Sequence, residues 1–245
     1  SFLLRDRLKR YNFKLYNQLG HETIYSQYSI LGIGMKELEL KKGFPKHYKW
    51  VGPSGASVEA GEDYPLDLSP FMERKKVLMT CGTQLSWAKE NLIYQAKQLA
   101  KAHPDCHFFV TRGVGGEAFQ CENLMENLSV VSYLPYKEYI PQMDYVIHHG
   151  GAGIFYQCII YGKPALILPH DYDQFDYAVR GVEAGVAFSA KRDNSKAIGQ
   201  AFEELLAKEN WPELETLHQA AQSYHPTETL EREIHRLLED KEKEK

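Results

Sequence analysis

The sequence has no long apolar run and no closely spaced pair of cysteines. A helix that spans a bilayer needs roughly 20 consecutive apolar residues, so no transmembrane segment is predicted. The first residues become charged too soon for a secretory signal. The cysteines lie too far apart in sequence for a zinc motif or a disulfide framework; they are Cys81, Cys106, Cys121 and Cys158. We therefore expect reduced thiols and a cytoplasmic protein, and contact of its Trp, Tyr or Lys side chains with a membrane surface stays open.

The sequence also lacks an excess of positive charge. Its 29 Lys and Arg residues are outnumbered by 33 Asp and Glu residues, which gives a formal net charge of −4 at pH 7. A protein that binds nucleic acid needs a basic surface, so nucleic acid is not an expected partner. Hydrophobic residues make up 43% of the chain and charged residues 25%, as in ordinary globular proteins. An anionic ligand would have to be attracted by a local group of donors.

Short apolar runs alternate with helical patterns from about residue 76 onward. The apolar runs are typical of buried strands and occupy residues 76–82, 107–110, 128–131, 145–147, 165–168 and 186–188. Helical spacing is found at residues 85–100, 152–161, 197–206, 214–221 and 230–238. The alternation predicts an α/β fold, with a Rossmann-like parallel sheet and helices on both of its faces. Ligand sites in such folds lie at the carboxyl ends of the strands.

The part before residue 76 has a different pattern. Leu3, Leu4, Leu8 and Leu15 predict a helical opening. Residues 54–63 are small, polar and acidic, which is typical of an interdomain linker. We expect residues 1–75 to be the end of an incomplete N-terminal domain with its linker, and residues 76–245 to form the ligand-binding domain. The start at Ser1 rather than Met favours a processed terminus or a piece of a longer protein.

A glycine-rich turn connects a strand to a helix at residues 148–153. The apolar strand runs into His149, Gly150 and Gly151, and a helical pattern begins at Ala152. Glycine lets the backbone approach a ligand closely, and the free N–H groups of a helix N-terminus attract negative oxygen atoms. An imidazole can donate a further hydrogen bond to a phosphate. Adjacent glycines also serve ordinary tight turns, so the motif needs support from its surroundings.

A second polar loop follows the next strand along the chain. It contains Asp171, Asp173 and Gln174, whose carboxylate and amide groups suit the hydroxyls of a sugar ring. Because parallel strands end at the same edge of a sheet, this loop and the glycine-rich turn are expected to lie side by side. A nucleotide sugar has both a diphosphate and a polyhydroxylated ring. The two loops together therefore predict a nucleotide-sugar site.

Several segments of this region resemble the donor-binding signature of the UDP-glycosyltransferase superfamily. They are residues 149–153, 162–164, 168–169, 173–174 and 178–185, and the similarity extends over about residues 76–240. Within the superfamily the sequence is similar to bacterial macrolide and carotenoid glycosyltransferases, whose GT-B architecture consists of two facing Rossmann-like domains. The resemblance implies metal-independent transfer of a hexose from a UDP-sugar or dTDP-sugar to an acceptor hydroxyl, with inversion. The nucleotide sugar is a co-substrate, so no cofactor is expected.

The resemblance also assigns roles to individual residues. Those expected to bind the diphosphate are His149, Gly151, Ala152, Gly153, Gly82 and Thr83. Those expected at the nucleobase and ribose are Tyr133, Leu134 and Gln157. Those expected to hold the sugar hydroxyls are Asp173 and Gln174.

Three positions depart from the pattern of the superfamily. Ile154 stands where a phosphate-binding Ser or Thr is common, Gln157 where a ribose-binding Glu is usual, and Tyr177 where Asn is frequent. Ile154 removes one hydroxyl donor, whereas the Gln157 amide can still form hydrogen bonds with a ribose. Donor affinity and donor choice are therefore open, while the phosphate loop is retained.

Other roles for the polar residues stay open at this point. Asp171 and Asp173 could hold a divalent metal ion against a diphosphate. His148, His149 and His170 could contribute to a zinc site or supply a base, although no fourth ligand has a recognisable spacing. His148 is expected to be structural.

The acceptor hydroxyl needs a base, which in the resembled superfamily is a histidine of the N-terminal domain. No counterpart of that histidine is found in this sequence. We expect the chain to bind the donor without transferring the sugar, and to need a missing N-terminal acceptor domain or a partner subunit. The alternatives are a two-subunit transferase, a non-catalytic nucleotide-sugar-binding module and, last, a sugar-nucleotide epimerase.

Overall fold

The computed structural model describes residues 26, 28–40, 43–53, 65–113 and 118–243. Its strands are β1 (Ile30–Ile33), β2 (Tyr48–Gly52), β3 (Lys75–Thr80), β4 (Cys106–Thr111), β5 (Cys121–Met125), β6 (Leu128–Val131), β7 (Tyr145–His148), β8 (Ala165–Ile167) and β9 (Ala187–Ser189). A seven-stranded sheet has the order β5-β6-β4-β3-β7-β8-β9, and in it only β5 is antiparallel to its neighbour. Each of the apolar runs predicted as a strand is found in this sheet. The predicted fold class is therefore confirmed.

Helices cover both faces of this sheet. They are α1 (Lys89–Ala102), α2 (Tyr136–Tyr139), α3 (Ala152–Ile160), α4 (Gln174–Glu183), α5 (Ser195–Ala207), α6 (Pro212–Gln222) and α7 (Pro226–Lys243). Within the described ranges, no helix is both long enough and apolar enough to span a bilayer.

The alternation of side chains along the strands produces two hydrophobic cores. In β3, Val77 and Met79 face the core that includes α1 and α5, whereas Leu78 faces the opposite core with α3 and α6. Successive residues of a strand point to opposite faces, so a strand that is apolar at every position needs a helix on each side. β4 is buried along its whole length. The central strands therefore fix the layered arrangement.

Some elements have no clear pattern in the sequence. β1 and β2 form a separate parallel pair, with Ile30 opposite Tyr48, in a segment for which the sequence predicts no strand. α4 buries Gln174, Ala178 and Gly181, which are small or polar, whereas its larger apolar side chains Phe175, Val179 and Val182 are exposed. The predicted helical opening near Leu3 and the predicted linker at residues 54–63 lie outside the described part of the chain.

The segment after β1 packs against the body of the protein. Met35 and Leu38 are buried in the same core as Tyr156 of α3. Arg180 of α4 forms an ion pair of 2.6 Å with Glu39 and donates a hydrogen bond of 3.1 Å to Leu38 O. Residues on both sides of the proposed division at position 75 thus share a core, and the division itself stays a prediction.

Replacing Arg180 by Ala is expected to lower the free energy of unfolding by about 2 kcal/mol, because the Glu39 carboxylate would stay partly buried without its cation. The Arg180 side chain is 16% exposed and that of Glu39 is 18% exposed. The matched control is Arg112→Ala, since its 3.6 Å ion pair with Glu122 joins two exposed side chains and contributes at most about 1 kcal/mol. Urea unfolding measures both variants. Equal losses would contradict the anchoring role of Arg180.

Candidate functional site

A cavity of about 410 Å³ opens where β3, β7 and β8 end. The predicted site residues that line it are Gly82, Thr83, His149, Gly151, Gly153, Asp173 and Gln174. They come from three segments, namely the turn after β3, the glycine-rich turn after β7 and the loop that leads from β8 into α4. The fold therefore brings residues predicted for a diphosphate and residues predicted for a sugar to one cavity.

The N-terminus of α3 faces this cavity without a capping side chain. Gly151 is the N-cap residue. The first helical hydrogen bond runs from Phe155 N to Gly151 O at 3.1 Å, so the N–H groups of Ala152, Gly153 and Ile154 have no carbonyl one turn earlier. Free N–H groups and the helix dipole together favour an anion. This helix end is thus suited to a diphosphate.

The imidazole of His149 lies between two glycines. A Cβ atom at Gly151 would lie 2.5 Å from His149 Nε2, and a Cβ atom at Gly82 would lie 3.0 Å from His149 Cε1. Gly82 also has a φ of +67°, a conformation that favours glycine. The position of the ring therefore requires glycine on both sides, and it brings Nε2 close to the N-terminus of α3.

The His149 ring is uncharged at neutral pH. Burial, followed by the nearby His170, lowers its pKa to about 4. A neutral imidazole has one N–H donor and one acceptor nitrogen. With its proton on Nε2, His149 can therefore donate one hydrogen bond to a phosphate oxygen without adding a positive charge, and α3 supplies the remaining donors.

His148 holds the turn rather than the ligand. It is buried, and its Nδ1 accepts a hydrogen bond of 3.0 Å from Gly150 N. Burial, with a further contribution from His149, lowers the pKa of His148 to about 3. The ring is therefore neutral, with its proton on Nε2.

The sugar loop, defined here as residues 168–173 between β8 and α4, is shaped by Gln174. Its Oε1 accepts hydrogen bonds from His170 N at 2.9 Å and from Asp171 N at 3.1 Å. The Asp173 side chain is exposed and lines the cavity. Gln174 therefore uses its carbonyl oxygen within the loop, which leaves its amide N–H groups for a ligand, while Asp173 offers a carboxylate.

The residues predicted for the nucleobase and ribose do not line the cavity. Leu134 is buried in the core, Tyr133 is half-buried, and Gln157 is 3% exposed. Within the described part of the protein, Gln157 Oε1 has no hydrogen-bond partner. Gln157 lies one turn after Gly153 and Ile154, which places it on the same side of α3 as these two cavity residues. The roles of the three residues stay predictions.

Two further residues of the predicted motif lie beside the cavity rather than in its wall. Ala152 is half-buried in the first turn of α3. Tyr177 packs against Phe155 and Tyr156, with ring centroids 5.2 Å and 5.9 Å away.

Across the described residues, no three His, Cys, Asp or Glu side chains are grouped closely enough to hold a metal ion.

Tyr136 lines the cavity although no sequence motif singles it out. Its hydroxyl lies 2.9 Å from Thr80 Oγ1, which also accepts a hydrogen bond of 3.0 Å from Gly82 N. Burial raises the pKa of Tyr136, so the hydroxyl stays protonated. Tyr136 therefore supports the turn that carries Gly82. This contact could not be read from the sequence because Thr80 and Tyr136 meet only in the folded sheet.

Comparison with known proteins gives one family and several relatives. The family model described as Erythromycin biosynthesis protein CIII-like, C-terminal domain, matches residues 115–234. The uncharacterized UDP-glucosyltransferase YdhE of Bacillus subtilis is 24% identical over 199 residues, which cover 79% of this chain and 49% of the relative. The 3-alpha-mycarosylerythronolide B desosaminyl transferase of Saccharopolyspora erythraea is 28% identical over 144 residues, which cover 58% of this chain and 32% of the relative.

Solved structures show the same fold. The glycotransferase of kitacinnamycin aligns with a TM-score of 0.70 and 20% identity over 84% of this chain and 55% of that chain. The spinosyn rhamnosyltransferase SpnG aligns with a TM-score of 0.69 and 17% identity over 85% of this chain and 56% of that chain. These neighbours have the GT-B fold. The chain spans about half the length of these structural neighbours and of YdhE.

Proposed function

Because the chain belongs, through residues 115–234, to the EryCIII-like C-terminal domain family of glycosyltransferases, we propose that it provides the donor-binding half of such an enzyme. The reaction is transfer of a hexose from a UDP-sugar or dTDP-sugar to an acceptor hydroxyl, with inversion at the anomeric carbon. The observation that carries the proposal is the cavity at which the N-terminus of α3, His149 and Asp173 meet. A nucleotide sugar joins its diphosphate directly to its sugar, so both must be bound side by side.

The nucleotide proposed is UDP or dTDP. The relative YdhE is named a UDP-glucosyltransferase, and the glycosyltransferase VinC was solved in complex with dTDP. In the ribose role proposed for Gln157, its neutral amide would bind the two ribose hydroxyls less strongly than the carboxylate of a Glu. Weaker hydrogen bonding to the ribose hydroxyls reduces the preference for UDP over dTDP, because dTDP lacks the 2′-hydroxyl. Both nucleotides therefore belong to the proposal.

The chemistry of this half concerns the leaving group. As the bond between the anomeric carbon and the diphosphate oxygen breaks, negative charge grows on the diphosphate. The N–H groups of α3 and the His149 imidazole are fixed in advance at that point, so they stabilise the developing charge. Ile154 contributes no hydroxyl, which leaves this task to backbone donors and the imidazole. Since these groups suit the diphosphate, we propose a mechanism without a metal ion.

The base and the acceptor site are proposed to belong to another domain or to a partner subunit. The pKa of His149 is lowered to about 4, and its Nε2 lies at the diphosphate end of the cavity, so it is poorly suited to deprotonate an acceptor. The chain would then bind the donor without transferring the sugar. Ile154 and Gln157 favour a second candidate, a non-catalytic nucleotide-sugar-binding module. A cytoplasmic location is part of the same proposal.

A thermal-shift panel of UDP, dTDP, GDP and their sugars tests the proposal. We expect UDP or dTDP compounds to raise the unfolding midpoint, because a ligand at 100 times its Kd stabilises the folded state by about 2.7 kcal/mol. His149→Ala should remove most of this shift. The control is His235→Ala, which changes an exposed histidine of α7 and should leave the shift unchanged.

Two results would count against the proposal. If neither UDP nor dTDP compounds raise the midpoint, or if His149→Ala responds like the wild-type chain, the nucleotide-sugar site is refuted. If the 245-residue chain alone transfers sugar, the dependence on a separate base is refuted.

A further inference from the structure

Three side chains that do not line the cavity meet at the sugar loop, to which one of them belongs. The ring centroids of Trp87 and His170 lie 5.6 Å apart, and the guanidinium carbon of Arg192 lies 5.3 Å from the centroid of the Trp87 ring. Arg192 Nη1 donates a hydrogen bond of 2.7 Å to His170 O. We call Trp87, His170 and Arg192 the loop clamp. It joins the segment after β3, the sugar loop after β8 and the turn after β9.

Arg192 is the central member of the loop clamp. Its guanidinium is held by two neutral groups, the His170 carbonyl and the Trp87 indole. A planar guanidinium can stack on a ring with its face while it donates hydrogen bonds in its plane. The backbone of Arg192 is also fixed, because Asn91 Nδ2 of α1 donates a hydrogen bond of 3.1 Å to Arg192 O. Arg192 therefore ties the sugar loop to a long helix of the core.

The loop clamp acts on the residues proposed to meet the sugar. His170 is fixed through its carbonyl by Arg192, and its N–H donates to Gln174 Oε1 at 2.9 Å. His170 Nδ1 lies 2.7 Å from Leu168 O, at the start of the same loop. Asp173 lies between these fixed points. The position of its carboxylate thus depends on a chain of contacts that starts at Arg192.

The diphosphate end of the cavity is held by different contacts. The His149 ring is confined by Gly82 and Gly151, and the N–H groups of α3 are positioned by the helix itself. Gly82 N is held by Thr80 Oγ1. None of these hydrogen bonds or confining contacts involves Arg192. The loop clamp is therefore distinct from the contacts that position the diphosphate donors, and the two ends of the cavity meet where Gly150 lies against the backbone of Gln174.

We propose that Arg192 is a positioning residue for the sugar end of the donor site, acting through the loop clamp on Asp173 and Gln174. The inference rests on the proposed function, because it requires that these two residues meet the sugar. Without Arg192, the His170 carbonyl loses its donor and the sugar loop can shift, while the diphosphate end keeps its donors. Affinity for a sugar nucleotide should therefore depend on Arg192, and affinity for the bare nucleotide should not.

Isothermal titration calorimetry on the 245-residue chain tests this separation. The ligands are UDP and dTDP, together with their glucose, galactose, glucuronate and N-acetylglucosamine derivatives. For the sugar nucleotide that the wild-type chain binds best, Arg192→Ala should lower the affinity about tenfold, while the affinity for the matching bare nucleotide should change less than about twofold. Arg192→Lys keeps the charge and one donor but not the planar stack, so it should recover part of the loss.

Lys191→Ala is the matched control. Lys191 is the neighbouring cation on the same turn, and it forms an ion pair of 3.8 Å with Asp193 between two exposed side chains. The Lys191→Ala variant should bind both the nucleotide and its sugar derivative with the affinity of the wild-type chain. The thermal unfolding midpoint of each variant shows whether it is folded, and Trp87→Phe provides a second change to the loop clamp if Arg192→Ala does not fold.

The outcomes separate the inference from the proposed function. If the wild-type chain binds none of the nucleotides, the proposed function fails and the inference fails with it. If nucleotides bind but Arg192→Ala weakens the nucleotide and its sugar derivative equally, or weakens neither, only the positioning role is overturned. A selective loss for the sugar derivative, with partial recovery in Arg192→Lys, supports it.

Discussion

Replacing Gly151 by Ala is expected to abolish most of the nucleotide binding and to leave the fold intact. The new Cβ atom would lie 2.5 Å from His149 Nε2, so the imidazole must leave its place at the N-terminus of α3. The backbone at Gly151 has φ −63° and ψ 145°, which alanine adopts without strain. We therefore expect the affinity for UDP or dTDP to fall about 10–100-fold, while the free energy of unfolding changes by less than about 1 kcal/mol.

Gly199→Ala is the control for this substitution. Gly199 lies in α5, and a Cβ atom there would have no neighbour within 4 Å. Its nucleotide affinity should equal that of the wild-type chain, and its stability should rise slightly because alanine favours a helix over glycine. Calorimetric titration and urea unfolding give both quantities. Unchanged affinity in Gly151→Ala would show that the ligand does not depend on the position of the imidazole.

The protein is expected to lose stability steeply as the pH falls below 6.5. Burial is the main cause that lowers the pKa of His107 and His149 to about 4 and that of His148 to about 3. In the unfolded chain these histidines have a pKa of about 6.5. The unfolded chain therefore takes up protons that the folded chain does not, so stability rises with pH between about 4 and 6.5. Each histidine contributes at most about 1.4 kcal/mol per pH unit in that window.

Urea unfolding at pH 7, 6 and 5 measures the loss of unfolding free energy. The three histidines together contribute roughly 4 kcal/mol per pH unit at most. Glu233 acts in a separate window. A hydrogen bond from Arg236 is the main cause that lowers its pKa from 4.5 to about 2, so its stabilisation is present above pH 4.5 and is lost only below it. Equal stability at pH 7 and pH 5 would refute the neutral, buried state of the histidines.

The strands of the large sheet were predictable because their sequences carry a strong local signal. Residues such as Val77, Leu78 and Met79 are apolar in succession, which is typical of a strand covered on both faces. α4 has apolar residues at helical spacing, namely Phe175, Val179 and Val182, but these side chains are exposed and the buried residues include Gln174 and Gly181. The contacts of Gly181 with Ile167 of β8 and Ala187 of β9 show which face of α4 is buried, and the apolar pattern alone does not predict that face.

Part of the candidate site was also predictable, because it too has a strong local signal in the sequence. The turn that contains His149 and Gly151 combines glycines with a strand before and a helix after, so its backbone suits an anion wherever it lies in the fold. The partners of this turn are not local in the chain. Gly82 leaves room for the His149 ring, and Tyr136 supports Gly82 through Thr80. No spacing in the sequence predicts these contacts.

The sequence by itself determined the α/β fold, the turn suited to a diphosphate and the polar loop suited to a sugar. Each of these depends on the order of apolar, glycine and polar residues within a short segment. Only the tertiary structure decided that Gly82 and Gly151 confine one imidazole. It also decided that the side-chain carbonyl oxygen of Gln174 accepts hydrogen bonds from the sugar loop, and that Arg192 holds this loop from outside the cavity. These features depend on contacts between residues that different strands bring together, and a local pattern does not specify such contacts.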